Sequence, residues 1–573
     1  MADKVIVTNW TALKQKYKPA GIKAIEAAVR KLIASDKTRD LKTVLIPLDD
    51  ATAMKKLGAT SVKDASSFRQ NKVAIDGVYE ALAPDYLMIL GAVDVIPHQD
   101  LKNPLFTNDP DGDTDKFAYG DLPYASDAPY SQKINDFSGP TRVVGRLPDL
   151  TEQGDPRYLV NLLNTAATWK SLPRSEYETY LGISAEKWKD STAESLTNIF
   201  NSSGDLQTSP TKGFRWKSAL INRRVHFVNC HGGDTYPDFL GQSGTDDDVM
   251  PVSHQAAFVA KKGNVLEGTV VAAECCYGGQ LYNPAAADDE QMGMCNTYLA
   301  MKAYGFLGST TTAYGPFSGN DQADLICQYF LQRVLAGASL GRATLEARQR
   351  FVEKSSPLSP MNQKTLAQFN LYGDPSVVPV DTATSTLVVG PKATTLNLTA
   401  KSVAKSKSVA KAVHLAGAVE RGERRELLRA KGVLLSELQP EMSKSEAATP
   451  TRVRSSLTKI MTELNLRPLA ALSFKVESPA VPALIPKSPM AKGISKAVAA
   501  KKQHTTAFHV MFGLPADAGV TVVAKSVASK EGSKLKRIAS KTMAKKSPIH
   551  KFVVLEAKEV DGKIVSVKEA HSK

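Results

Sequence analysis

The sequence predicts an α/β protein whose core is a mostly parallel sheet flanked by helices, followed by a basic tail. Short β-rich runs alternate with helical patterns through residues 1–380, which is typical of a parallel sheet with helices on its faces. The 573 residues, 42% of them hydrophobic, exceed the usual size of one domain and allow a normal core. The charge balance changes sharply after residue 380, which indicates a separate segment.

Residues 1–150 predict a smaller N-terminal α/β subdomain. Helical spacing of apolar residues runs through 20–34 and 73–83, and β-rich runs cover 42–48 and 85–97. Helix and strand patterns in alternation favour crossover connections between parallel strands. We therefore expect a small sheet with helices packed on it, and a further strand just before the subdomain ends.

Residues 151–380 predict a second α/β subdomain, in which several strands end at glycines. Strands that run into glycine turns are predicted at 223–233 and 268–279, and a third strand at 304–315. Helices are expected over 190–200, 254–262, 321–336 and 339–354, and the run 369–380 closes the unit.

Residues 381–573 form a basic tail. They hold 34 Lys and Arg against 15 Asp and Glu, whereas the whole chain has a net charge of +15. Low-complexity stretches such as 400–411 predict partial disorder. β-rich runs at 506–514 and 551–567, with Asp561-Gly562 as a hairpin turn, predict a small β-module. The charge suggests an acidic partner or nucleic acid for this tail.

Composition also narrows the class of protein. No apolar run approaches the ~20 residues that a membrane span needs, and the first residues show no secretory signal pattern. The five cysteines, an odd number within one hundred-residue window, do not form a disulfide framework. We therefore expect an intracellular, cytoplasmic protein with reduced thiols.

Two predicted strand ends carry chemistry. One strand runs into Asn-Cys-His-Gly-Gly, residues 229–233, and the other into Glu-Cys-Cys-Tyr-Gly-Gly, residues 274–279. A helix predicted between them makes the strands parallel, so that both carboxyl ends lie at one edge of the sheet, where ligand crevices form. His231 and a cysteine of the second motif can then face each other across a substrate.

A cysteine and a histidine in this arrangement suit nucleophilic catalysis. The imidazole takes the thiol proton and later protonates the leaving amine. The glycines allow close approach of the backbone, and the amides of Gly232 and Cys276 can form an oxyanion hole. The residues alone do not separate Cys275 from Cys276, because each has a glycine three positions later.

The order of the motifs resembles the caspase–legumain–gingipain superfamily of cysteine peptidases, and the gingipain family most of all. The supporting stretches, in the family's order, are DYLMILGAVDVIP, YGDLPYASD, RVVGRLPD, NCHGGD, ECCYGG, YGFLGSTTTAYG and FNLYGDPSVV, within residues 75–380. The resemblance implies a caspase-like core and a cysteine endopeptidase that requires no cofactor. It implies Cys276 as the nucleophile, with Gly279 three residues later, and His231 as the general acid/base.

Asp190 has two interpretations. It lies near the start of the helix predicted over 190–200, where aspartate commonly caps. In arginine-specific gingipains an acid at the start of the corresponding helix lines the primary specificity pocket, and Asp190 with Glu194 matches that spacing. The resemblance therefore implies that Asp190 binds substrate and selects Arg or Lys before the scissile bond.

Two metal sites are alternatives to simpler interpretations. The run 109–115 holds the carboxylates of Asp109, Asp111, Asp113 and Asp115, which suits either a solvated loop or a calcium-binding loop. Zinc ligands from the two motifs are the other alternative, but adjacent ligand pairs do not match usual zinc spacing. Buried, inert cysteines are the simpler interpretation of Cys230, Cys295 and Cys327.

Two roles for the tail remain open. Its many basic residues make it a self-processing substrate, cut between about 381 and 550, or a pseudosubstrate that occupies the cleft until it is cut. The alternative to a peptidase is a catalytically silent caspase-like scaffold whose tail binds nucleic acid or an acidic partner.

Overall fold

A computed structural model gives the structure of residues 2–210, 216–246, 249–287, 290–382, 407–477, 505–515 and 551–573. The strands of this part of the chain are β1 (Lys4–Thr8), β2 (Thr43–Pro47), β3 (Tyr86–Leu90), β4 (Gln99–Lys102), β5 (Phe117–Gly120), β6 (Val144–Leu147), β7 (Leu172–Pro173), β8 (Tyr180–Ala185), β9 (Leu206–Ser209), β10 (Val225–Asn229), β11 (Phe239–Leu240), β12 (Val252–His254), β13 (Val270–Ala273), β14 (Gly305–Ser309), β15 (Tyr314–Gly315), β16 (Phe369–Gly373), β17 (Val380–Asp381), β18 (Glu441–Lys444), β19 (Leu466–Glu477), β20 (Thr506–Pro515), β21 (Val553–Val560) and β22 (Lys563–Ser572).

The helices fall close to their predicted positions, and α1, α3, α7, α9 and α12 are additional. They are α1 (Trp10–Lys16), α2 (Pro19–Thr38), α3 (Ala51–Lys56), α4 (Phe68–Leu82), α5 (Arg157–Thr168), α6 (Lys189–Phe200), α7 (Ser218–Ile221), α8 (Ala256–Val259), α9 (Met294–Ala300), α10 (Gln322–Leu335), α11 (Leu340–Ser355), α12 (Pro360–Gln368), α13 (Lys407–Leu438) and α14 (Thr451–Glu463). Helix α8 is much shorter than the predicted 254–262, because the chain there first forms β12.

A ten-stranded sheet organises the first 380 residues, in the order β2-β1-β3-β6-β16-β14-β13-β10-β8-β9. All neighbours are parallel except β14 and β16, which are antiparallel and divide the sheet into two halves of opposite direction. The predicted fold class, a mostly parallel sheet flanked by helices, is confirmed. The subdomains predicted as 1–150 and 151–380 share this one sheet, because β16 from the later segment lies beside β6.

Two apolar clusters hold helices on the sheet. One joins α2, α4, α5 and α9 to the strands, and the other joins α6, α10, α11 and α12. The central strands are buried along their whole length, which explains their continuous apolar runs. Ser339 and Ser359 cap α11 and α12 by accepting backbone hydrogen bonds.

The C-terminal module, defined here as residues 441–477, 505–515 and 551–573, is a sheet with α14 packed against it. Strands β18 to β22 pair as antiparallel neighbours, and β15 of the first 380 residues adds to β22 as a sixth strand. The strands predicted in the tail are present, and Asp561 and Gly562 form the hairpin turn with φ of 48° and 79°. Most of the low-complexity stretch 400–411 lies outside the described residues.

Helix α13 joins the first 380 residues to this module and lies against the earlier part of the chain. Arg425 pairs with Asp85 at 3.2 Å, and Arg429 pairs with Asp127 at 2.9 Å. Part of the tail's positive charge is therefore used within the molecule. Among the described residues, no helix is both long enough and apolar enough to cross a membrane.

Candidate active site

The two predicted strand ends meet at one edge of the sheet. Strands β10 and β13 are parallel neighbours, with Val225 opposite Val270 and Val228 opposite Ala273. The loops that follow them touch, because a Cβ atom on Gly232 would lie 1.8 Å from the carbonyl oxygen of Cys276. A side chain at position 232 would push the loops apart, so glycine is required there.

The geometry distinguishes the two adjacent cysteines. The Sγ of Cys276 accepts a hydrogen bond of 3.2 Å from the backbone amide of Ala313. Cys275 is completely buried, with its Sγ 3.8 Å from the carbonyl oxygen of Val228 in the sheet. A Cβ on Gly279 would lie 2.8 Å from the carbonyl oxygen of Gly308, so the glycine three residues after Cys276 permits a close backbone approach.

The residue after Cys276 has an unusual backbone conformation. Tyr277 adopts φ of 53°, a left-handed conformation that costs a non-glycine residue about 1–3 kcal/mol. Its hydroxyl donates to Asp115 at 2.7 Å, and the same carboxylate accepts 2.8 Å from the amide of Thr312. Asp115 thus ties together the loop that carries Cys276 and the segment that leads to Ala313.

The acidic run 109–115 contributes to this network. Lys364 on α12 donates to Asp113 at 2.6 Å and to Asp115 at 2.9 Å, and all three groups are largely buried. Burial, offset by Lys364 and by the hydroxyl of Tyr277, leaves the pKa of Asp115 at about 2. Nowhere in the described part of the chain do three or more His, Cys, Asp or Glu side chains group as a metal site would. The carboxylates proposed for calcium have a lysine as their partner instead.

His231 lies in a buried, partly aromatic environment. Its Nε2 is 2.9 Å from Oε1 of Gln242, and its ring meets the ring of Trp188 edge-on at a centroid distance of 4.5 Å. The backbone of His231 also exchanges hydrogen bonds of 2.8 Å with Leu240. These contacts fix the orientation of the imidazole.

The cleft beside Cys276 holds the last residues of the chain itself. The amide of Cys276 donates a hydrogen bond of 3.0 Å to the backbone oxygen of Lys573, and the amide of Lys573 donates 3.0 Å to Ala313. Strand β22 runs antiparallel to β15, with Ser572 opposite Tyr314 and His571 opposite Gly315. This is the geometry of an extended peptide added to a sheet edge.

The side chain of Lys573 fills an acidic pocket. Its Nζ is 2.5 Å from Glu274 and 2.6 Å from Asp324, and all three side chains are fully buried. The same Nζ lies 5.8 Å from the ring centre of Trp188. A Cβ on Gly315 would lie 2.1 Å from Cε of Lys573, so this glycine leaves room for the lysine.

Burial shapes the ionisation of this site. Burial raises the pKa of Glu274 well above its usual range, and Asp324 adds to the rise while Lys573 opposes it. Burial alone would lower the pKa of Lys573, but Asp324 and Glu274 raise it, which keeps the ammonium charged. Burial raises the pKa of the Cys276 thiol to about 12, so the thiol is protonated at neutral pH while the cleft is filled.

Asp190 lies elsewhere. It is in the first turn of α6 with an exposed side chain, where its charge suits the helix dipole. The structure brings His231, Gly232 and Cys276 together, as the sequence predicts, but it does not bring Asp190 to the lysine. The acids that contact Lys573 are Glu274 and Asp324, and the sequence interpretation missed the pocket they form. An acid at the end of an apolar strand and another on the buried face of α10 were the available signals.

The class of protein that this fold and site define is a cysteine peptidase. The model of peptidase family C25 matches residues 2–380. The chain belongs to this family, and the resemblance to the gingipains is confirmed.

Solved structures give a weaker comparison. One described as "Structure of Protease" is 15% identical, with 66% of this chain and 78% of that chain covered and a TM-score of 0.42. The Saccharomyces cerevisiae separase–securin complex is 12% identical, with coverage of 42% and 14% and a TM-score of 0.25. No curated protein sequence matches the chain.

Proposed function

We propose that this cysteine peptidase is an endopeptidase that cuts after Lys or Arg, with Cys276 as nucleophile and His231 as general acid/base. One observation carries the proposal. Lys573 lies with its backbone oxygen on the amide of Cys276 and its ammonium between Glu274 and Asp324. A substrate residue in the same position would present its carbonyl carbon to the thiol.

The reaction then follows from the groups in place. The Sγ of Cys276 attacks the carbonyl carbon while His231 accepts the thiol proton, which forms a tetrahedral oxyanion. Because Nε2 of His231 already contacts Gln242, we assign the proton transfer to Nδ1. The imidazolium gives this proton to the departing amine, and the C–N bond breaks to leave a thioester. Water, deprotonated by His231, hydrolyses the thioester and restores the thiol.

The oxyanion is stabilised by backbone amides. The amide of Cys276 already donates to the oxygen of Lys573, and one such donor typically lowers a barrier by ~3–4 kcal/mol. We assign Gly232 as the second donor, since its backbone lies directly against that of Cys276.

The pocket supports a preference for a cation. Two buried carboxylates form charge-assisted hydrogen bonds with an ammonium, whereas a neutral side chain would leave both without a partner. Lysine is the residue whose length the structure shows to fit. We assign recognition of the positive charge to Glu274 and Asp324 in place of Asp190.

A peptide library digested with the full chain and analysed by mass spectrometry tests this function. We expect cuts after Lys or Arg that disappear in the Cys276→Ala variant. Cuts after Asp, Asn or apolar residues would contradict the specificity. The absence of any thiol-dependent cut from variants with an open cleft would favour the catalytically silent scaffold. We also place the enzyme in the cytoplasm, which is supported by five buried cysteines without disulfides.

A further inference from the structure

We propose that His571–Lys573 is a built-in ligand of the substrate cleft, presented by the C-terminal module, and that it competes with peptide substrates. This inference rests on the proposed function, because it takes the cleft beside Cys276 to be the place where substrates bind. It also goes beyond that function, since it names a part of this chain as the occupant that a substrate must replace.

The three residues occupy successive positions in the cleft. Lys573 fills the acidic pocket and its backbone is bonded at both ends, to Cys276 and to Ala313. Ser572 pairs with Tyr314 on the sheet edge. The His571 ring stacks on Phe317 with centroids 3.4 Å apart and an interplanar angle of 21°. Backbone pairing together with side-chain pockets is the usual way in which extended peptides are recognised.

The segment is held by a folded module. Strand β22 pairs with β21 from its first residue to His571, and β21 continues the sheet to β20. Residues of the module and of the catalytic body share one apolar cluster, which contains Leu105, Tyr314, Met361, Phe474, Phe508, Val510, Phe512, Phe552, Val554 and Ala570. The ligand is therefore fixed at the end of a docked structure.

Polar contacts join the same two surfaces. Lys568 on β22 pairs with Asp321 at the start of α10 at 2.5 Å, three residues before Asp324 of the pocket. Arg467 on β19 pairs with Asp111 at 3.3 Å. These pairs are partly exposed and contribute little energy each, but they set the register in which β22 approaches the cleft.

Tethering makes the segment an effective competitor. A ligand held next to its site experiences an effective concentration that can reach ~1 mM. With the segment in place, Cys276 is only 4% exposed. A substrate or a thiol reagent can reach the sulfur only after residues 571–573 have left the cleft.

The test uses the full chain and its Lys573→Glu variant, which places a third carboxylate beside Glu274 and Asp324. Lys563→Ala is the matched control, because Lys563 lies exposed at the other end of the same strand. Two rates are measured for each protein: alkylation of Cys276 by iodoacetamide, located by mass spectrometry, and hydrolysis of a fluorogenic peptide with Lys before the scissile bond.

We expect both rates to rise at least tenfold in Lys573→Glu and to remain unchanged in Lys563→Ala. Equal alkylation rates in the wild type and Lys573→Glu would overturn the inference. Faster alkylation without hydrolysis in any protein would support the inference and contradict the proposed function, so the two failures are distinguishable.

A second measurement does not depend on the substituted segment being well folded. The synthetic peptide Glu-Ala-His-Ser-Lys, added to the Lys573→Glu variant, is expected to slow alkylation of Cys276 in a dose-dependent way. The same peptide ending in Glu should have no effect. Equal effects of both peptides, or of neither, would contradict the assignment of residues 571–573 as the ligand.

Discussion

The amide of Cys276 donates a 3.0 Å hydrogen bond to the backbone oxygen of Lys573. This single contact relates the candidate nucleophile to a residue whose side chain occupies a buried acidic pocket. It therefore defines, in one arrangement, the reacting sulfur, an oxyanion donor and the side-chain position that selects the substrate.

The roles of the two adjacent cysteines can be tested by substitution. Cys276→Ala and His231→Ala are expected to abolish peptide hydrolysis without loss of fold, since they remove the nucleophile and the base. Cys275→Ala should keep substantial activity, because its sulfur faces the sheet. Hydrolysis of a Lys peptide and circular dichroism of each variant provide the measurements. Loss of activity in Cys275→Ala alone would move the nucleophile by one residue.

The pocket carboxylates are expected to determine the preference for basic residues. Glu274→Gln or Asp324→Asn should reduce kcat/KM for Lys peptides by about 2–5 kcal/mol, the usual cost of removing one partner of a buried charge pair. Asp190→Asn is the control, because that side chain is exposed. These assays are made in the Lys573→Glu background, where the cleft is open. A loss in Asp190→Asn with full activity in the other two would return the role to Asp190.

Docking of the module is expected to depend on pH through Glu556. Burial raises the pKa of this carboxyl to about 7, against the opposing effects of Ser359, Lys568 and the backbone at Met361, while Asp321 adds to the rise. The folded state therefore binds the proton more tightly than the unfolded state. The stability that results is fully present below about pH 4.5, and it is lost as the pH rises to about 7.

Glu556→Gln isolates this contribution. Between pH 5 and pH 8 the melting temperature of the wild type should fall more than that of the variant, by an amount equivalent to at most about 3 kcal/mol. Parallel melting curves across this range would show that Glu556 is not held protonated at the interface.

The network under the catalytic loop is expected to be important for stability. Lys364→Met removes the cation between Asp113 and Asp115 and should cost about 3–5 kcal/mol, since two buried carboxylates lose their partner. Lys302→Met, which breaks an exposed pair with Glu267, should cost less than about 1 kcal/mol. Thermal unfolding of both variants compares them, and equal shifts would contradict the structural role of Lys364.

The sequence was sufficient for the parts of the site that depend on local order. Apolar runs that end in glycines predicted β10 and β13, and the parallel crossover rule placed His231 and Cys276 at one edge. The choice of Cys276 needed the family spacing, because both cysteines precede a glycine by three positions. The structure adds a physical reason in the close approach of Gly279 to Gly308.

The pocket and its occupant depend on contacts between distant parts of the chain. Glu274 lies at the end of β13 and Asp324 in the first turn of α10, and nothing local indicates that they converge. Asp190 was the better local candidate, but its position in the helix turned it to solvent. The docking of Lys573 depends on how the whole C-terminal module packs, which no short motif encodes.

The most direct measurement of the central claim is the fate of a short peptide extension placed after Lys573. If Lys573 occupies the position of a substrate residue, Cys276 should cut the bond between Lys573 and the first added residue. Intact-mass spectrometry of the extended wild type is expected to show loss of the extension, and the extended Cys276→Ala protein should keep it. An extension that stays intact on a protein able to hydrolyse free Lys peptides, or that is lost equally from Cys276→Ala, would contradict the account.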